Sequence, residues 1–322
     1  MQRNLNITPP LQFADDFLAW AVWLYYVEGR TQNEVAKSLG VSRTSVANYL
    51  AEARRRGMVS VTVAPELLSG VERSTRLSRR YGLRETHIIP ARTGENREAL
   101  TRRLGGATAQ LLSARLNDGL TLGVAWGRTV LATAQALTEQ QLPALKVVQV
   151  AGSSVDGTPF SPEYCTALFA NRLGARCYNF HAPGIVSNAG LCEQLMHEPI
   201  VSRQFELIHQ CDLLVFGVAA AGDTSLYRQT DLLNPELMQP YLDQGAEALV
   251  LGRILDAGGR EMPGPLTGRQ LGLAPAELST IPQRFLIAGG ADKYKAIRAI
   301  LAGGYATHLI TDQQTAQSLE AS

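Results

Sequence analysis

Beyond residue 86 the hydrophobic positions fall into short apolar runs separated by longer stretches with helical spacing. The runs at 87–90, 120–124, 145–150, 213–218, 248–251, 285–288 and 307–311 read as strands. The stretches at 97–116, 129–137, 163–173 and 293–301 read as helices. Such alternation predicts a mostly parallel α/β sheet with helices on both faces, a Rossmann-like arrangement. The Pro- and Gly-rich stretch 263–272 is expected to be a surface excursion, and no internal repeat or low-complexity segment interrupts the pattern. An Arg-rich helix is expected over 66–81, with Leu67, Val71, Leu77 and Tyr81 on its buried edge. Arg73, Arg76, Arg79 and Arg80 would form a solvated face, with a part in subunit or DNA contact left open.

The first 63 residues have a different pattern. Asp15 or Asp16 caps a helix running to Glu28, with Phe17, Trp20, Ala21, Trp23, Leu24 and Val27 as its apolar surface. Thr31 with Glu34 forms a capping box, and Gly40 supplies the backbone freedom for a sharp turn. Ser42 then caps a second helix with Val46, Tyr49, Leu50 and Ala53 on one face. The arrangement resembles a helix-turn-helix of the winged type, with small Ala36 where the helices cross and Val46 as buried anchor. Thr31, Gln32, Ser42, Arg43, Thr44, Ser45, Asn48 and Arg54 are the candidate DNA contacts. An alternating stretch at 58–63 is expected to form one strand of the wing. An ordinary helical hairpin would share any one of these signals, but not their combination.

Composition adds the partition. A chain of 322 residues with 45% hydrophobic content supports two domains, expected at 1–63 and 64–322. The net charge of +1 hides an asymmetry: seven Lys/Arg face five Asp/Glu in residues 1–63, and six face three in residues 64–92. The body beyond carries the compensating acidic excess, as suits a phosphate-contacting head. Cys165, Cys177, Cys192 and Cys211 form no CxxC pair and read as reduced, mostly buried thiols. The five histidines show no ligand spacing with them, so no metal and no cofactor is expected. No signal peptide is apparent, and the apolar runs at 17–27 and 213–221 are too short to span a bilayer. A soluble, cytoplasmic protein is expected.

Two strand-to-helix junctions carry glycine, one at 123–129 and one at 286–293. Gly127, with Arg128 and Thr129, and Gly289 and Gly290, with Lys293, are candidates to hold one phosphoryl group at helix N-termini. Tight turns without a ligand use the same residues. Neither junction fits a Walker A loop or a full GxGxxG fingerprint, which disfavours nucleoside triphosphates and dinucleotides. Lys293 is the best single candidate, because a lysine opening a helix is electrostatically misplaced without an anion. Gln149 is either a ligand group or a buried amide satisfied by backbone. Asp256 is either a ligand group or the start of a turn, and Trp126 either stacks on a sugar or packs beneath its own loop. Asp223 and His181 read as turn and rim residues rather than an acid/base pair.

The helix-turn-helix, Gly-Val-Ala-Trp-Gly-Arg-Thr at 123–129, Val-Val-Gln-Val-Ala-Gly at 147–152, Ala-Pro-Gly-Ile-Val at 182–186 and Gly-Arg-Ile-Leu-Asp at 252–256 resemble the SorC family of bacterial transcriptional regulators, also called sugar-binding DeoR-like. Ala-Gly-Gly-Ala-Asp-Lys-Tyr-Lys-Ala-Ile at 288–297 and Leu-Ile-Thr-Asp at 309–312 with Thr315-Ala316 extend the resemblance over the whole chain. It implies an effector domain related to sugar-phosphate isomerases and deaminases but without catalysis. It implies a regulator of a sugar or polyol operon, repressor or activator, a phosphorylated sugar or polyol as effector, operator DNA as partner, and a homo-oligomer, dimer or tetramer. By that analogy Gly127, Arg128, Thr129 and Lys293 hold the phosphate, Gln149 and Gly152 face the sugar, and Asp256 is a weaker contact to a hydroxyl. Ala219 stands where the family often carries glycine, a departure within the pocket. The competing expectation is an active sugar-phosphate isomerase or deaminase carrying a nucleic-acid-binding head, which would need a positioned acid and base.

Overall fold

A computed structural model describes residues 10–13, 16–59, 65–154, 158–222 and 234–321. Contacts divide the chain into two units, Met1–Leu67 and Leu68–Ser322.

In the first unit, Asp16 caps α1 (Phe17–Val22) by accepting from the Leu18 and Ala19 amides. The helix then widens into a π turn over Trp23–Val27. Its i→i+5 bond, from the Glu28 amide to the Trp23 carbonyl at 3.1 Å, shifts the following side chains off the apolar stripe. Val27, late in the turn, is therefore 61% exposed, and Trp23 at its start is 43% exposed, both against the expectation that they supply buried surface. Thr31 and Glu34 form the capping box of α2 (Gln32–Leu39), and Gly40 ends it at φ 66°. Ser42 caps α3 (Arg43–Arg55). Ala21, Leu24, Val35, Ala36, Leu39, Val46 and Leu50 form one core among the three helices. Residues 60–63 of the expected wing strand, and Asp15, lie outside the described residues.

The second unit begins within α4 (Pro65–Tyr81). Leu77 is buried, but Val71 is 67% exposed, and the side chain of Leu67 lies outside the described residues. Arg73 and Arg76 are not purely solvated, because their Nε atoms donate to the Glu320 carboxylate at 2.7 and 2.8 Å. Strands and helices then alternate: β1 (Glu85–Ile89), α5 (Arg97–Ser113), β2 (Thr121–Val124), α6 (Arg128–Ala136), β3 (Lys146–Gln149), α7 (Pro162–Leu173) and β4 (Arg176–Tyr178). Helices α8 (Ala189–Met196) and α9 (Pro199–His209) precede β5 (Leu213–Phe216). Next come β6 (Ala219–Ala220), α10 (Pro235–Asp243), β7 (Ala248–Val250) and β8 (Arg253–Leu255). The chain closes with β9 (Gln283–Ile287), α11 (Tyr294–Ala302), β10 (His308–Asp312) and α12 (Gln313–Ala321).

The expected α/β sheet is present, with seven parallel strands in the order β1-β10-β9-β5-β2-β3-β4. Hydrophobic clusters line it from both faces, as βα crossovers require. Gly105 on α5 allows close packing on α6, since a Cβ there would lie 2.5 Å from the Ala132 carbonyl carbon. The run at 248–251 does not join this sheet. It pairs antiparallel with β6 and β8 around a separate core containing Met238, Tyr241, Ile254 and Leu266. Nor is 263–272 a surface excursion. Leu266 and Leu271 are buried, Gly272 bridges Ala151, and Gln270 bridges Ile185. Three of the cysteines are buried and Cys177 is exposed. Burial pushes the Cys165 and Cys211 thiols up to about 12, which keeps them protonated and inert.

Strand order reverses between β2 and β5: the chain steps outward through β3 and β4, then returns to the other side of β2. Ligands of open α/β sheets bind outside the carboxyl ends of the strands at such a point.

Candidate functional site

On the first unit, α3 presents Arg43, Thr44 and Asn48 to solvent, with Ser45 half-buried. Thr31 and Ser42 are exposed, but their hydroxyls serve the helix starts. The Thr31 hydroxyl donates to Glu34 at 2.8 Å, and the Ser42 oxygen accepts from the Ser45 amide at 3.1 Å. Arg43 Nε donates to Gln32 Oε1 at 3.4 Å, which brings these two candidates side by side across the turn. Arg54 Nε donates to the Leu50 carbonyl at 3.3 Å, so its guanidinium lies back along its own helix. Arg55 and Arg56 both donate to Glu52, and those bonds hold its carboxyl down at about 2.

In the second unit, a cleft of about 70 Å³ opens at the β2/β5 reversal. That is room for roughly five water molecules at about 10–15 Å³ each. The chain leaving β2 lines it with Ala125 to Thr129, and the chain leaving β5 lines it with Gly217 to Ala219. Gly127 adopts φ 121° and ψ 170°, open to glycine alone, and no side chain caps α6 behind it. The first amides of that helix therefore give the cleft a positive end. Thr129 is buried and its hydroxyl donates to the Ile287 carbonyl at 3.0 Å, which ties the start of α6 to the end of β9. The Arg128 guanidinium lies 5.6 Å from the centre of the Phe160 ring. Lys293 ends the 3-10 turn Ala291–Lys293 and stands at the N-cap of α11, as expected of a lysine opening a helix. Arg97, at the start of α5, also lines the cleft and pairs with Asp292 at 3.0 Å. Three cations thus line the cleft, and Trp126, Phe160, Val218, Leu249 and Leu251 supply apolar surface.

Gly127, Arg128, Thr129 and Lys293 are therefore brought together, whereas the other effector candidates lie elsewhere. Gln149 is completely buried. Its Nε2 donates to the Ala151 carbonyl at 2.8 Å and to Ser153 Oγ at 3.3 Å, and its Oε1 accepts from the Phe180 amide at 3.2 Å. It is the backbone-satisfied amide of the two alternatives. Gly152 is a packing glycine, since a Cβ there would sit 2.6 Å from Gly184 Cα. Asp256 holds a turn through the Gly258 and Arg260 amides at 2.8 and 2.9 Å, and those backbone bonds hold its carboxyl below the usual range. Gly289 and Gly290 do not line the cleft; the Gly290 amide is turned onto Asp312. His181 is exposed, and Asp223 lies outside the described residues. Among the described residues, no cluster of His, Cys, Asp and Glu is arranged to hold a metal ion.

Arg97 was missed by the sequence reading, although the argument applied to Lys293 would have found it: it too is a cation in the first turn of a helix. Leu249 and Leu251 had no such signal, because only the β7–β8 hairpin brings them to the cleft. Leu251 has φ 51°, the one non-glycine left-handed residue among those described, and with Gly252 at φ 78° it forms the tight hairpin turn. Trp126 is half-buried and lines the cleft while packing near Gly252.

A family model for a sugar-binding domain matches residues 66–319, and a model of sigma-70 region 4 matches residues 19–56. The chain is 32% identical over 311 residues to YjhU of Escherichia coli K12, an uncharacterized transcriptional regulator, with 95% of each chain covered. It is 27% identical to the erythritol catabolism regulatory protein EryD of Brucella abortus, covering 95% of this chain and 97% of EryD. The full-length sorbitol operon regulator SorC from Klebsiella pneumoniae shares the fold, with a TM-score of 0.71 at 21% identity, covering 94% of this chain and 97% of SorC. No described helix is long and apolar enough to cross a membrane.

Proposed function

The chain belongs to the SorC family of sugar-binding transcriptional regulators, and from that premise we propose that a phosphorylated sugar or polyol controls its grip on an operator. The head, residues 1–63, reads DNA through Arg43, Thr44, Ser45 and Asn48, with Gln32 beside Arg43 and Arg54 near the phosphates. The body, residues 64–322, senses the effector and assembles the protein as a homo-oligomer, a dimer or tetramer. Its action is repression, relieved when the effector binds.

One observation carries this reading: Arg97, Arg128, Lys293 and the uncapped start of α6 converge on a single cleft at the strand-order reversal. Hydrogen bonds to charged groups contribute about 1.5–3 kcal/mol each, so a phosphoryl group, with several acceptor oxygens, suits a cleft lined by three cations. The apolar wall of Trp126, Val218 and Leu251 then lies against the carbon skeleton. Coupling between effector and operator of about 1–3 kcal/mol gives the 5- to 150-fold change a switch needs.

Gel-shift titration with a panel of phosphorylated and unphosphorylated sugars and polyols tests this. A phosphorylated member is expected to shift the DNA-binding midpoint, and Lys293→Ala is expected to abolish that shift while operator affinity in its absence stays within twofold. An unchanged response in Lys293→Ala rejects the site.

A further inference from the structure

Strand β10 ends on Asp312, a buried carboxylate 6% exposed that no candidate role above uses. Its Oδ2 accepts from the Gly290 amide at 2.8 Å and from the Thr315 hydroxyl at 2.6 Å, and its Oδ1 accepts from the Thr315 amide at 3.0 Å. The Thr315 oxygen in turn accepts from the same Gly290 amide at 2.9 Å. A carboxylate withdrawn from water is tolerated only where donors satisfy it in this way. The approach is close enough that a Cβ at residue 289 would collide with the Asp312 carboxylate, so the glycine there serves Asp312.

Pinned in this way, Gly290 holds φ 105° and ψ 139°, a conformation L side chains rarely adopt. That conformation sets the direction of the turn that follows, which closes with the Lys293 amide donating to the Gly290 carbonyl at 2.9 Å. Lys293 ends the turn at the cleft wall, and Asp292 in the same turn meets Arg97 at 3.0 Å. One carboxylate thus fixes the backbone that presents one cation and aligns a second. Lysine has four rotatable side-chain bonds, so the affinity its ammonium delivers depends on how well its backbone is fixed beforehand.

We propose that Asp312, backed by Thr315, is a positioning residue for anion capture: it never touches the ligand, but holds the turn from which Lys293 reaches it. This rests on the reading of the cleft as an anion site.

The test uses the full chain with inorganic phosphate as probe, titrated calorimetrically well below the thermal transition so that every variant is measured folded. Asp312→Asn and Thr315→Val are expected to weaken phosphate at least tenfold, while Thr315→Ser, which keeps the hydroxyl, stays within twofold. In a Lys293→Ala background, Asp312→Asn is expected to add less than threefold, because its effect runs chiefly through that side chain and only secondarily through Arg97. A role in stability alone lowers the thermal midpoint and leaves the affinity of the folded protein untouched. Wild-type affinity in both Asp312→Asn and Thr315→Val, with affinity lost in Lys293→Ala, overturns the positioning role and spares the cleft. Wild-type affinity in Lys293→Ala, or no phosphate binding by the wild type, overturns the cleft reading and this proposal with it. If Asp312→Asn fails to fold, the Thr315→Val and Thr315→Ser pair decides.

Discussion

Gln149→Ala separates a buried amide from a ligand group. The substitution strands the Phe180 amide and the Ala151 carbonyl, both now satisfied by the Gln149 side chain, and leaves a small void in a region with no solvent access. Each stranded buried group costs about 1–3 kcal/mol, so the loss is expected to be about 3–5 kcal/mol with the void included. For a unit of this size about 1 kcal/mol moves the thermal midpoint by roughly 2–4 °C, which predicts a drop of about 10 °C. Scanning calorimetry of the full chain measures that drop, and phosphate titration at low temperature measures affinity in the same samples. Phosphate affinity is expected to stay within twofold, because the nearest cleft residues belong to other segments. A midpoint within about 2 °C of wild type, together with a lost effector response, would refute the reasoning and make Gln149 a ligand group.

Two other outcomes follow from the same physics. Arg43→Ala is expected to lower the ratio of operator to scrambled-DNA affinity by about 5- to 150-fold, since one good base contact is worth about 1–3 kcal/mol; an unchanged ratio rejects Arg43 as a reader. Burial pushes the His308 imidazole down to about 4, with its Nδ1 against the Thr307 hydroxyl at 2.9 Å. The native form therefore stays neutral while the unfolded chain takes up a proton. The stabilisation is complete above the ordinary value of 6.5 and is lost as pH falls towards about 4, with a slope of up to about 1.4 kcal/mol per pH unit. His308→Asn is expected to flatten denaturant-measured stability across that window, and an identical slope in the variant contradicts it.

The features readable along the chain were those that a few neighbouring residues settle among themselves. Thr31 with Glu34, Gly40 and Ser42 mark the two helices of the head because caps and left-handed turns involve residues at most a few positions apart. The strand-then-helix rhythm was legible for the same reason, as was the helix start at Gly127 and Arg128. Partners distant in sequence were decided only by folding. The run 248–251 is as apolar as a central strand, and only its antiparallel pairing with Ala219–Ala220 and Arg253–Leu255 removes it from the main sheet. The left-handed backbone of Leu251 follows from that hairpin, not from any local preference of leucine. Gln149 was ambiguous because its partner, the Phe180 amide, lies thirty-one positions away. Asp312 could be quoted as part of a motif, but its meaning lay in an amide twenty-two positions earlier. Hydrogen bonds within a turn are encoded where they form, whereas those that join a carboxylate to a distant glycine exist only once the sheet has brought the two strand ends together.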